Sequence, residues 1–142
     1  MRSLLDVNLL IALLQPDHVH HGLAHGWWSA NRSGGWASCP LTQNGFVRIL
    51  SQPRYPKPMS TAAALALLAE QTVETDHAFW PDDISLLDSQ RFDFGRILGP
   101  KQLTDIYLLA LAIEHGGRLA TFDRTIPVGA VRGAEPRHVA LI

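Results

Sequence analysis

Apolar residues fall in short unbroken runs along the chain, and the runs end at carboxylates, prolines or paired glycines. Ser3 to Asp6 is short and apolar and predicts a buried strand. Asn8 to Leu14 predicts a helix that stops at Gln15-Pro16, because the residue before a proline avoids helical backbone. Asp17 is placed to cap a helix from His20 to Ala30, with Leu23, Trp27 and Trp28 as its apolar stripe. Turn residues Asn31 to Gly35 precede a second strand, Trp36 to Cys39, stopped by Pro40. Thr42 is placed to cap a helix carrying Phe46, Val47, Ile49 and Leu50, and the segment SQPRYPKP reads as an exposed loop. Ser60 and Thr61 open an Ala/Leu-rich helix to Gln71, and His77 to Trp80 predicts a third strand ended by Pro81. Ile84 to Leu98 is assigned as helix, and Gly99-Pro100 as a loop. Thr104 or Asp105 caps a strongly apolar helix that closes at Gly116-Gly117. Arg118 to Phe122 and His138 to Ile142 supply a fourth and a fifth strand.

Short apolar strands alternating with helices predict a three-layer α/β/α fold around a central, mostly parallel sheet of about five strands. At 142 residues, without repeat, linker or low-complexity tract, the chain reads as one domain, 1–142. In open parallel sheets the ligand site lies beyond the carboxyl ends of the strands. Asp6 ends the first strand, Asp123 follows the fourth, and Asp105 opens the helix that feeds the fourth. A right-handed crossover puts that helix start on the same edge of the sheet as the two strand ends. The three carboxylates are therefore expected to share one edge, where their mutual repulsion calls for a hard cation such as Mg2+ or Mn2+. Taken singly, Asp105 also suits a helix cap and Asp123 a turn.

Composition narrows this picture. The chain is 46% apolar and 18% charged, which is globular rather than disordered. Its formal net charge of -1 excludes a strongly basic nucleic-acid binder, so any such binding must rest on a local patch. Ten of the twelve basic residues are Arg, suited to bidentate phosphate contacts. Cys39 is the only cysteine, so neither an internal disulfide nor a Cys-rich zinc site is available, and a reducing cytoplasm is expected. Asp6 and Asn8 interrupt the apolar N-terminus, against a signal peptide, and no apolar stretch is long enough to span a bilayer.

Carboxylates sharing an edge can serve a metal-dependent phosphodiesterase, in which metal-bound water attacks phosphorus in line. The residues also resemble a family. LLDVNLLIALL, CPLTQNGFVRILS, WPDD and LTDIYLLALAIEHGGRLATFD, in that order over nearly the whole chain, resemble the PIN-domain ribonucleases, and most of all the VapC toxins of bacterial toxin-antitoxin modules. The resemblance implies a Mg2+- or Mn2+-dependent endoribonuclease cutting structured RNA, tRNA or rRNA. It implies Asp6, Asp105 and Asp123 as metal ligands and catalytic acids, with Asn8 steadying the loop after Asp6. It also implies a VapB-type antitoxin as partner, and a homodimer. One position departs from the pattern. The family's Glu after the Thr of the third helix is Gln43 here, an amide without charge that is no general base at neutral pH.

Other groups carry rival readings. Arg48, with Arg54 and Lys57, is placed to contact an RNA backbone or to line a solvated loop. His18, His20, His21 and His25 have a possible zinc spacing but no acid or Cys partner. Asp82-Asp83 reads as a helix cap or an extension of the acidic edge. Trp27 and Trp28 read as packing residues or base stackers, and Glu114 falls outside the site. Two alternatives to the nuclease stand: a catalytically weak or dead PIN-fold binding module, kept open by Gln43, and a receiver-type signalling domain, which lacks here its paired acids and its Lys.

Overall fold

The structure, a computed structural model, describes residues 1–142. Five short strands form one parallel sheet: β1 Ser3–Leu5, β2 Trp36–Ser38, β3 His77–Phe79, β4 Arg118–Thr121 and β5 Val139–Leu141. Their spatial order is β3-β2-β1-β4-β5. The chain winds outward from β1 through β2 to β3, then crosses back to β4 on the other side of β1. The winding thus reverses between β1 and β4, and such a switch point opens a crevice at the carboxyl ends of the two strands.

Side chains alternate across the sheet, and each face is covered. Leu5, Trp36 and Ala120 point into a core shared with helices α1 (Val7–Leu14), α2 (His21–Asn31), α3 (Pro40–Leu50) and α4 (Thr61–Glu74). Leu4, Ala37 and Leu119 point into the opposite core, under α5 (Leu103–Glu114) and the loops that carry Phe92, Ala130 and Val131. The helix and strand order is the expected α/β/α architecture, with boundaries within a few residues. No helix is long and apolar enough to cross a membrane.

Four local assignments differ from the sequence reading. Ile84 to Leu98 is not a helix but a strap of turns with one 3-10 turn at Phe94–Arg96. Its short polar side chains bind their own backbone: Ser85 Oγ accepts from Leu87 N, and Asp88 Oδ1 from Gln90 N, which competes with helical bonding. Fully buried Phe92 anchors the strap, bridged to Val131. Asp17 does not cap α2; His20 holds that position and Asp17 pairs with Lys57 at 3.0 Å. Helix α3 starts at Pro40, where the missing N–H costs nothing, so Thr42 sits inside the first turn and its hydroxyl accepts from Cys39 N. A 3-10 turn, Pro100–Gln102, leads into α5 at Leu103, so Asp105 lies in the first turn and is not the cap. The expected end at Gly116 is present, in the left-handed region at φ 71.

Candidate active site

The crevice at the switch point is built by strand register. Leu5 pairs with Ala120, and Asp6 N donates to Ala120 O at 3.1 Å, so the next residues, Asp6 and Thr121, stand side by side. Asp6 is almost fully buried and caps α1, with Oδ1 accepting from Leu9 N at 2.7 Å. Its Oδ2 accepts from the Thr121 hydroxyl, and that hydroxyl oxygen in turn accepts from Asp123 N at 3.0 Å. Asp123 Oδ1 accepts from Thr125 N at 2.8 Å and from Thr125 Oγ1 at 2.6 Å. Asp105 reaches the same place from the first turn of α5, its carboxyl against that of Asp123.

The ionisation of the three acids shows how close they are. Burial, then the hydrogen bond to Asp123, then the charges of Asp6 and Asp123 push Asp105 up to about 7. Burial also raises Asp6, although the bonds from Thr121 and Leu9 pull the other way. The two bonds from Thr125 hold Asp123 below the usual carboxylate range. No ion pair involves any of the three, so only hydrogen bonds from Thr121, Leu9 and Thr125 offset their charges within the chain. The side chains do not form a finished cage, since no three His, Cys, Asp or Glu groups are spaced to close on one ion. The donor chemistry nevertheless suits a hard divalent cation: oxygen ligands only, three carboxyls, and a proton that leaves near neutral pH.

The remaining candidates separate clearly. Gln43 is not turned to these carboxyls by any hydrogen bond; its Nε2 donates to Ser38 Oγ at 2.9 Å, and Ser38 Oγ lies 2.7 Å from His77 Nε2. Asn8 is exposed and makes no side-chain hydrogen bond, so the loop after Asp6 is steadied instead by Leu9 N and Thr121. Arg48 is exposed and unpaired on α3, beside Gln43 and Asn44 in a groove of about 780 Å³ between α3 and α4. Asp83 caps nothing and pairs with His115 at 3.1 Å, while Asp82 faces Cys39 and Tyr107 and helps push that phenol, foremost by burial, up to about 12. His21 and His25 have rings 5.7 Å apart, but His21 Nδ1 is engaged with Ala12 O and no third ligand joins them. Trp27 and Trp28 pack against the core, and Glu114 pairs with Arg91, both outside the crevice. Thr121 and Thr125 were not among the expected residues. The usable signal was a lone hydroxyl in the buried run LATF, where a polar side chain must find a partner.

Comparisons with known proteins bear on the family and the fold. A family model described as PIN domain matches residues 3–130. Ribonuclease VapC44 of Mycobacterium tuberculosis is 54% identical over 142 residues, 100% of both chains. Ribonuclease VapC39 of the same species is 43% identical over 134 residues, 94% of this chain and 96% of the relative. Among solved structures, the crystal structure of VapBC2 from Rickettsia felis bound to a DNA fragment from their promoter superposes with a TM-score of 0.55. It does so at 12% identity over 89% of this chain and 94% of that one, which bears on the fold alone.

Proposed function

The chain belongs to the PIN-domain family and, within it, to the VapC ribonucleases, and from that premise we propose that it is an endoribonuclease, the toxin of a toxin-antitoxin pair. The observation that carries the reading is the meeting of Asp6, Asp105 and Asp123 at the switch point, where burial and the neighbouring acids push Asp105 up to about 7. Asp6, Asp105 and Asp123 would hold Mg2+ or Mn2+. Such an ion, when bound, lowers the pKa of a water and offsets charge building on phosphorus.

The chain's own residues prepare that chemistry. Thr121 and Leu9 N fix both oxygens of Asp6, leaving further lone pairs for an ion. Thr125 keeps Asp123 ionised and oriented. Asp105, which burial and the neighbouring acids push up to about 7, would give up its proton on taking the ion. Gln43 brings no charge, so the acid set is three, which favours one ion over two. Arg48 would contact the RNA backbone from the α3–α4 groove. The substrate class is structured RNA, tRNA or rRNA. The partners are a VapB-type antitoxin that holds the enzyme inactive and a second copy of the chain.

Incubating total RNA with the antitoxin-free protein and Mn2+ tests this reading. Discrete cleavage, suppressed by EDTA and absent in Asp105→Asn, is expected. Absence of any EDTA-sensitive cleavage leaves instead the nuclease-dead binding module, the reading that Gln43 favours.

A further inference from the structure

Four of the seven histidines lie between positions 18 and 25, and neither the acid set nor a zinc site uses them. One of them stands against Phe122, the residue before Asp123. The His20 ring lies 5.4 Å from the Phe122 ring, tilted by 43°. The His18 ring follows at 5.7 Å, and His18 Nδ1 accepts from His20 N at 3.0 Å, which fixes the turn that presents both rings. Phe122 packs its inner side on the core, whereas His20 is exposed and its side chain makes no hydrogen bond. Beyond Asp123 comes Arg124, exposed and in no ion pair.

An acid pocket repels an RNA backbone, so the strand must be held by something beside the acids. A phosphate can reach a crevice between strand ends only where the strand is unstacked, and the bases freed there seek rings, histidine among them. Base–ring stacking tolerates any sequence. We propose that the His20–Phe122 ledge receives an unstacked base of the RNA beside the scissile phosphate, with Arg124 on the adjoining phosphate. This rests on the ribonuclease reading and adds a base-binding subsite to it.

A short single-stranded RNA carrying 2-aminopurine, titrated in Ca2+, reports both binding and stacking. Wild-type protein is expected to bind and quench it. His20→Ala should bind about tenfold more weakly with the quench lost, and His20→Trp should restore both. Thermal stability of the two variants should stay close to wild type, because the exposed His20 side chain makes no hydrogen bond and only its ring contacts with Phe122 and His18 change. In Mn2+, cleavage by His20→Ala should show a raised KM and an unchanged kcat. Wild-type quenching by His20→Ala, or failure of His20→Trp to recover it, overturns the ledge. EDTA-sensitive cleavage with unaltered KM in His20→Ala sinks the ledge and leaves the nuclease standing. Quenched binding that depends on His20, without cleavage by the wild type, sinks the nuclease and leaves the ledge.

Discussion

The Thr121 hydroxyl donates to Asp6 Oδ2 while its oxygen accepts from Asp123 N, so one fully buried side chain ties together the acids that follow two neighbouring strands. Replacing it by an isosteric apolar group strands a buried carboxylate oxygen. Thr121→Val is therefore expected to cost about 1–3 kcal/mol in urea unfolding. It should also weaken Mn2+ binding by about 10- to 100-fold in calorimetric titration, the usual effect of losing a group that orients a ligand. Thr121→Ser, which keeps the hydroxyl, should recover most of both. Equal metal affinity in the Val and Ser variants would remove Thr121 from any role in the site.

Asp105 makes the metal-free protein pH-sensitive in a definite direction. Its folded pKa, about 7, lies above the ordinary 3.8 that it takes in the unfolded chain. Between these values the folded state keeps a proton that the unfolded state has lost, so stability falls as pH rises through that window. In EDTA, the urea midpoint should be lower at pH 8 than at pH 5, and Asp105→Asn should flatten the trend. With Mn2+ the order should reverse, because the ion competes with that proton. A midpoint in EDTA that climbs toward pH 8 would contradict the crowding of the three acids.

The parts of the fold and site legible in sequence are those written in side-chain type. Asp6 and Asp123 end apolar runs, and the alternation of strands and helices was enough to put them on one edge with Asp105. What sequence did not disclose depends on partners far away in the chain. Thr121 is significant because register sets it beside Asp6, 115 residues earlier. Gln43 could not be placed until Ser38 and His77 were known to stand beneath it. The strap after β3 was misread because its apolar residues keep helical spacing while Ser85 and Asp88 turn the backbone aside.

Gly45 lets α3 approach α1 where the site begins. A Cβ there would meet Val7 Cγ2 at 2.7 Å, and Val7 directly follows Asp6. Alanine improves helix propensity by about 1 kcal/mol, whereas overpacking costs about 1–3 kcal/mol, so Gly45→Ala should destabilise on balance. It should also lower metal affinity by displacing the start of α1. Gly26 of α2 has nothing within 4 Å of its would-be Cβ, and Gly26→Ala should stabilise by about 0.5–1 kcal/mol. Thermal melts of the two variants should therefore shift in opposite directions. Matching shifts would show that the α1–α3 contact yields freely.

Gln43 follows Thr42 in the first turn of α3, and its amide is committed to Ser38 Oγ at 2.9 Å. An amide nitrogen can donate there and leave the Ser38 hydroxyl proton for His77, which burial keeps below its usual pKa and so neutral. This makes Gln43 part of a side-chain chain between α3, β2 and β3. The expected outcome is a modest loss of stability in both Gln43→Ala and Ser38→Ala, with a coupling of about 0.5–1.5 kcal/mol in the double variant. Metal-dependent cleavage by Gln43→Ala should persist, while Asp6→Ala and Asp105→Asn lose it. If Gln43→Ala is as inactive as Asp105→Asn and leaves Ser38→Ala unaffected in stability, the amide oxygen is a ligand and the set has four members.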